Sequence, residues 1–327
     1  MTNNLLIKTA LTAALTISSI SSAFASTSWD MPTPYGDRTF HTVNIRAFAD
    51  DVAERTNGEL KINVHSNGSL IGHPEIKNSV RRGIVPSGEL IMSRLANENA
   101  IFDVDSVPFL ASNYEEAWEL WQASKEVIAE ELAKQRLRVL FAVPWPPQGL
   151  YTNNEITEIG DLRNLKMRAY NLSSERFSQL VNAIPTQIEV PDIPTGFSTG
   201  RVDAMITSPA TGADTKAWDY VSHFNHAQLW IPKNMVIVNE QAFSRLAPDI
   251  QQALLDAAEA AEIRGWEMSK AETESAIKVL KENGIQVSEP SEALQSALEV
   301  IGKTMTQEWL ERAGDQGQQI IDRFTSQ

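Results

Sequence analysis

Apolar positions along the chain change period repeatedly. Ile45, Phe48, Ala49 and Val52 recur at the spacing of one helical face, and Asn57-Gly58 closes that helix. Leu60, Ile62 and Val64 then alternate strictly with polar residues, which predicts a half-buried strand ended by Ser66-Asn67-Gly68. The exchange continues with a short helix over Glu75–Arg82 stopped by Gly83, a strand over Glu89–Ser93, a long helix over Tyr114–Gln135 and a strand over Leu137–Val143. Pro144, Pro146 and Pro147 break that last strand, because proline donates nothing to a ladder and does not continue into a helix. Beyond Gly149 the pattern restarts, with expected strands over Lys166–Asn171, Gln187–Val190 and Val202–Thr207 and a helix over Ser173–Asn182.

Interleaving of the two periods marks an α/β protein. The proline-rich stretch at 144–149 reads as a crossover between two lobes, and the extended stretch Ala227–Asn239, with Pro232 inside it, as a second. From Pro248 helical spacing persists to Asn283-Gly284, a helix of roughly 54 Å at 1.5 Å per residue, longer than one ordinary domain is wide. Ile250, Leu254, Ala258, Ala261 and Trp266 hold no heptad seam, so the helix is expected to be a strut lying along both lobes. Gly265, near its middle, marks either a bend or a close approach. The expected division is residues 26–146 plus about 238–265 in one lobe, and about 147–237 plus 266–327 in the other.

The first 25 residues stand apart. Lys8 precedes an apolar run from Thr9 to Ile20, and Ala23-Phe24-Ala25 supplies a small-x-small cleavage site, the pattern of a secretory signal peptide. That run is too short to span a bilayer, so the expected product is an exported, periplasmic protein. With no cysteine there is neither a disulfide nor a thiol to carry a lipid anchor. The net charge of −14, from 28 basic and 42 acidic side chains, argues against a nucleic-acid partner, which calls for a basic surface.

Several stretches together resemble the substrate-binding subunit of TRAP transporters, the DctP family. They are Gly58-Glu59-Leu60 with Gly68-Ser69-Leu70, Val107-Pro108-Phe109-Leu110, Asp161-Leu162-Arg163-Asn164-Leu165-Lys166-Met167-Arg168, Ile184-Pro185 and Gly200-Arg201-Val202-Asp203-Ala204, in the family's order. The resemblance implies a two-lobe periplasmic binding protein fold with a helix spanning both lobes, a small organic acid in the cleft, and delivery to the small and large TRAP membrane subunits. It implies a monomeric receptor with no cofactor and no catalysis. The family's carboxylate-binding arginine maps to Arg168, and Asn234 falls where the family often has a substrate-binding asparagine. The local pattern agrees, since alternation sets Arg168 and Tyr170 on the face opposite Met167 and Ala169, and a guanidinium fork matches a carboxylate.

Two departures narrow the ligand. Many members carry a second arginine about twenty residues before the first, where this chain reads Pro147-Gln148-Gly149-Leu150-Tyr151-Thr152. Some carry an acid where this chain has Thr207-Ser208. A monocarboxylate is therefore expected, with aromatic and sugar acids among the candidates. A C4-dicarboxylate is the alternative, with Lys233 as its second cation. Trp145, Tyr151, Tyr170 and Trp218 lie at or beside loops expected to face the cleft, and Gln148, Asn171, Thr207, Ser208 and Asn234 offer neutral hydrogen bonds.

Other chemistries fit poorly. Gly196-Phe197-Ser198-Thr199-Gly200 matches the nucleophile-elbow pattern of exported serine hydrolases, but the expected order is helix then strand, the reverse of that motif. His223 and His226 lack a third ligand for a metal. Asp50-Asp51 and Asp103 with Asp105 have no spacing that suggests glycosidase chemistry. An ABC-type or sensory receptor of the same architecture is the nearest competing assignment.

Overall fold

The computed structural model describes residues 26–326, so the expected signal peptide lies outside the described residues. β1 (Thr27–Pro32) and β2 (Leu60–His65) pair in parallel, joined by α1 (Phe40–Arg55), which buries Ile45, Phe48, Ala49 and Val52 as their spacing requires. α2 (Ile76–Arg81), β3 (Ser87–Ile91), α3 (Tyr114–Ala133) and β4 (Leu137–Pro144) follow. After the proline-rich crossing come β5 (Gly149–Thr152), β6 (Lys166–Ala169), α4 (Leu172–Leu180) and β7 (Ile184–Gln187). α5 (Ile193–Ser198), β8 (Ala204–Thr207), α6 (Pro209–Asp214) and β9 (His223–Asn225) complete that run. The chain then crosses back to β10 (Lys233–Asn239), α7 (Glu240–Ser244), α8 (Pro248–Glu282), β11 (Gln286–Ser288) and α9 (Glu292–Thr325).

Sheet membership alternates with the crossings. β10 sits between β3 and β4 in an antiparallel three-stranded sheet, and every residue of it is buried. The second sheet has six strands in the order β11-β9-β5-β8-β6-β7. The two crossings run side by side. Trp145 N donates to the Pro232 carbonyl at 2.8 Å, Gln148 N to Trp230 at 2.9 Å, and Leu229 N back to Gln148 at 2.8 Å.

α8 packs on α1 and β4 and, further along, on α6 and β11, as a strut joining both sheets would. Gly265 marks close packing within this helix. A Cβ there would lie 2.4 Å from a Val143 methyl and 2.7 Å from Asn44 Nδ2. Two features depart from expectation. α9 is a second long element, capped by Ser291, interrupted at Gly314 (φ 56°, ψ −139°) and packed on both α3 and α4. β7 begins at Ile184 rather than Gln187, because Pro185 is tolerated on the edge of a sheet and Pro191 turns the chain into a short 3-10 helix.

Candidate functional site

A cavity lies beside the crossings, walled in part by side chains at or just beyond the carboxyl ends of strands. Arg168 comes from β6, Thr207 from β8 and Ile91 from β3, while Tyr170, Trp145 and Glu189 come from just past β6, β4 and β7. Open α/β sheets bind ligands at strand ends of this kind.

Arg168 is 2% exposed, flanked in sequence by the buried Met167 and Ala169 of the opposite face. Its Nε donates to the Ile188 carbonyl at 2.9 Å, and its guanidinium carbon lies 5.1 Å from the Tyr170 ring centre. Among the described residues its terminal nitrogens have no hydrogen-bond partner, and no carboxylate comes within 4.0 Å. Burial pulls its pKa down and the surrounding Tyr170 and Glu189 pull it back. A buried cation with its fork uncommitted is suited to an anion.

Tyr35 and Trp145 give the cavity an aromatic lining that is held from behind. The Tyr35 hydroxyl and the Trp145 indole N–H both donate to Asn234 Oδ1, at 3.1 and 2.9 Å, and Asn234 Nδ2 donates to the buried Glu89 at 2.8 Å. Asn234 thereby fixes two rings packed edge to face 4.9 Å apart, while itself standing outside the cavity. Tyr170 accepts from Trp230 Nε1 at 2.9 Å and donates to Gln148 Oε1 at 3.3 Å, and Gln148 Nε2 donates to the Pro146 carbonyl at 2.8 Å.

Glu189 supplies a negative pole. His73 Nδ1 lies 3.3 Å from its Oε2, and Arg94 2.8 Å from its Oε1. Because His73 Nε2 accepts the Ile91 N–H at 3.2 Å, the ring proton sits on Nδ1 and points at Glu189. Burial works to raise the Glu189 pKa, but the His73 hydrogen bond and the charges of Arg94 and Arg168 bring it down to about 2.

Of the side chains singled out in the sequence, Arg168, Tyr170, Trp145, Gln148 and Thr207 meet in this cavity. Others are placed elsewhere. Tyr151 is fully buried, its ring 4.4 Å from Phe224 and its hydroxyl on the Ser208 carbonyl at 3.2 Å. Ser208 caps α6, accepting from Thr211 N at 3.0 Å. Trp218 is half-buried in the apolar cluster around Tyr151 and Phe224. Asn171 caps α4 through its Oδ1 and reaches Ser93 and Ser106 through its Nδ2, at 2.9 and 3.2 Å. Lys233 does not line the cavity, and its Nζ lies 3.8 Å from Asp105 and 6.0 Å from the Trp266 ring centre. Burial draws the Lys233 pKa down and raises that of Asp105 to about 6, so each moves toward its neutral form.

Tyr35, His73, Ile91, Glu189, Val190, Thr211 and Pro232 also line the cavity and were not singled out. Ile91, Glu189 and Val190 lie within or at the ends of stretches expected to be strands, and Pro232 lies within the expected second crossover, which is the signal that could have found them. Ser198 ends α5 with its hydroxyl on the Thr195 carbonyl at 3.1 Å, and a strand follows rather than precedes it. Among the described residues no cluster of three or more His, Asp or Glu side chains is arranged to hold a metal.

Comparison with known proteins agrees with this architecture. The profile of the DctP family, described as bacterial extracellular solute-binding protein, family 7, matches residues 35–312. A Bordetella pertussis extracytoplasmic solute receptor binding pyroglutamic acid is 43% identical, with a TM-score of 0.91, covering 92% of this chain and 100% of that one. A marine-metagenome TRAP solute-binding protein specific for pyroglutamate, from an unidentified microbe, is 36% identical, again with a TM-score of 0.91, covering 93% and 100%. The 2,3-diketo-L-gulonate-binding periplasmic protein of Escherichia coli is 23% identical over 74% of this chain and 75% of its own.

Proposed function

The chain belongs to the DctP family of TRAP extracytoplasmic solute-binding proteins, and from that premise we propose that it captures pyroglutamate, or a ring monocarboxylate of similar size, at Arg168. Members of this family are receptors rather than catalysts, and they work outside the cytoplasm. The observation that carries the ligand proposal is the single uncommitted guanidinium of Arg168 facing a small cavity. One fork suits one carboxylate. A second carboxylate would find Glu189 rather than a cation. The pyroglutamate-binding relatives described above support the choice within the monocarboxylates.

The receptor would act as a monomer and hand its ligand to the small and large TRAP membrane subunits. Its lobes would meet at the paired crossings. The pairing of β10 with β3 and β4 favours a second boundary near Pro232, before that strand, and the packing of α9 on both α3 and α4 favours a helix shared between lobes.

Calorimetric titration tests the ligand. L-Pyroglutamate is expected to bind more tightly than succinate, malate, an aromatic acid or a sugar acid. Arg168→Ala should cost about 2–5 kcal/mol, with Arg168→Lys recovering only part, because one ammonium does not reproduce the fork. A C4-dicarboxylate as the tightest ligand, or unchanged affinity in the alanine variant, would overturn the proposal.

A further inference from the structure

We infer that Glu189 is the specificity-determining residue of this cavity: it accepts a neutral N–H from the ligand ring and turns away a second carboxylate. This rests on the reading above that Arg168 takes the ligand carboxylate. Arg168 and Glu189 both line the cavity, and each feels the charge of the other. They nevertheless form no ion pair within 4.0 Å, so the cavity has two separate poles rather than one neutralised pair.

Glu189 is built to stay an acceptor. Its two oxygens receive His73 Nδ1–H at 3.3 Å and Arg94 Nη2 at 2.8 Å, and each oxygen keeps a further lone pair. His73 has no freedom to reverse this, because its other nitrogen holds the Ile91 N–H. An ionised carboxylate donates nothing. Any ligand group set against it must therefore supply a hydrogen, and one that brings only lone pairs or a negative charge is repelled.

The remaining acceptors of the lining, the Thr207 and Thr211 hydroxyls among them, are neutral, so Glu189 alone among them brings a charge that turns away a second carboxylate. Gln148 has its oxygen on Tyr170 and its nitrogen on the Pro146 carbonyl, and the Thr211 hydroxyl accepts from Ser208 at 3.1 Å. An ammonium is a poor alternative to a neutral N–H, because it would sit beside the Arg168 guanidinium while Glu189 already has Arg94 as its counter-charge. A carboxylate and a neutral ring N–H on one small molecule is the chemistry of a lactam acid. Selectivity then comes from the cost of confronting Glu189 with the wrong group.

An isosteric pair isolates that contact: pyroglutamate, and the γ-lactone acid in which ring oxygen replaces the N–H. Calorimetry on the wild-type protein should show the lactam favoured by at least about tenfold. Glu189→Gln should compress this preference to within about threefold, since its amide can donate to the ring oxygen, and should narrow the gap between pyroglutamate and glutarate. A merely structural Glu189 would lower affinity for both ring acids alike, and an unchanged lactam-to-lactone ratio in the variant overturns the assignment. So does a wild-type protein that binds both rings equally, whether or not the variant folds, and that outcome leaves the monocarboxylate reading standing. Binding of neither ring acid by the wild type removes both.

Discussion

Asp103 is fully buried, with Oδ2 accepting from Ser173 at 2.8 Å and facing Arg312 at 3.5 Å, while Oδ1 has no partner. Burial pushes its pKa up to about 7. The folded state therefore binds more protons than the unfolded chain between about pH 4 and pH 7. This contribution to stability is fully present below the unfolded pKa and is lost as pH rises through about 7. Melting temperature should fall between pH 5 and pH 8, and Asp103→Asn should flatten that slope; equal slopes in the two proteins would mean that Asp103 stays ionised when folded. Asp105, raised to about 6, adds to the same trend. Which face a residue takes explains what was legible at this scale. Strand alternation around Met167 and Ala169 was enough to set Arg168 and Tyr170 together on one wall. In β10 the neighbours Lys233 and Asn234 necessarily face opposite ways, and nothing local says which of them faces the cleft. Neither lines it. Asn234 ends behind the aromatic wall and Lys233 beside Trp266.

At the scale of elements, α8 was readable because its apolar spacing runs unbroken from a proline at its start to Asn283-Gly284, whereas Gly265 had two meanings that only packing separates. Its missing Cβ lets the helix lie against Val143 of β4, and Asn44 of α1 donates to the Ala261 carbonyl at 2.9 Å from the neighbouring turn. Gly265→Ala should therefore destabilise the protein by about 1–3 kcal/mol, although alanine is intrinsically the better helix former by about 1 kcal/mol. Urea unfolding measures this, and a midpoint equal to or above that of wild type would mean that the helix and β4 are less closely seated. α9 carries a signal of the same kind, since Leu294, Leu298, Met305, Trp309 and Ala313 keep helical spacing behind the cap at Ser291. Its break at Gly314 lies at positive φ, where glycine is at ease and other residues are strained. The shift of β7 has a different cause, because Pro185 makes the run before Gln187 read as a break while the sheet edge accommodates that proline.

Across the whole molecule, polar contacts link the segment before the first crossing to the segment after it. Asn171 reaches Ser93 and Ser106, Ser173 reaches Asp103, and Glu189 reaches Arg94. Thr39 adds a hydrogen bond to Asp214 at 2.9 Å. Most of these are short-range polar contacts, each worth about 0.5–1.5 kcal/mol net, with more for the charged ones. They compete with hydration of the same groups in an opened cleft, so a ligand that bonds to Arg168 on one side and to groups across the cleft tips the balance. Rotation would fall on the few residues of the paired crossings, where Trp145, Gln148 and Leu229 hold the two strands together. The ligand-free protein should therefore have the larger radius of gyration in small-angle scattering, and saturating ligand should contract it. Arg168→Ala, which keeps the cross-cleft contacts but loses the anion, should stay expanded at ligand concentrations that close the wild type. Superimposable curves for free and saturated wild-type protein would mean that the cavity is already formed without ligand and that affinity comes from a fixed pocket. In that case Glu189 and its partners would act as permanent walls, and replacing Arg94 by alanine would leave the scattering of the free protein unchanged, whereas a closing molecule deprived of that contact would contract less when ligand is added.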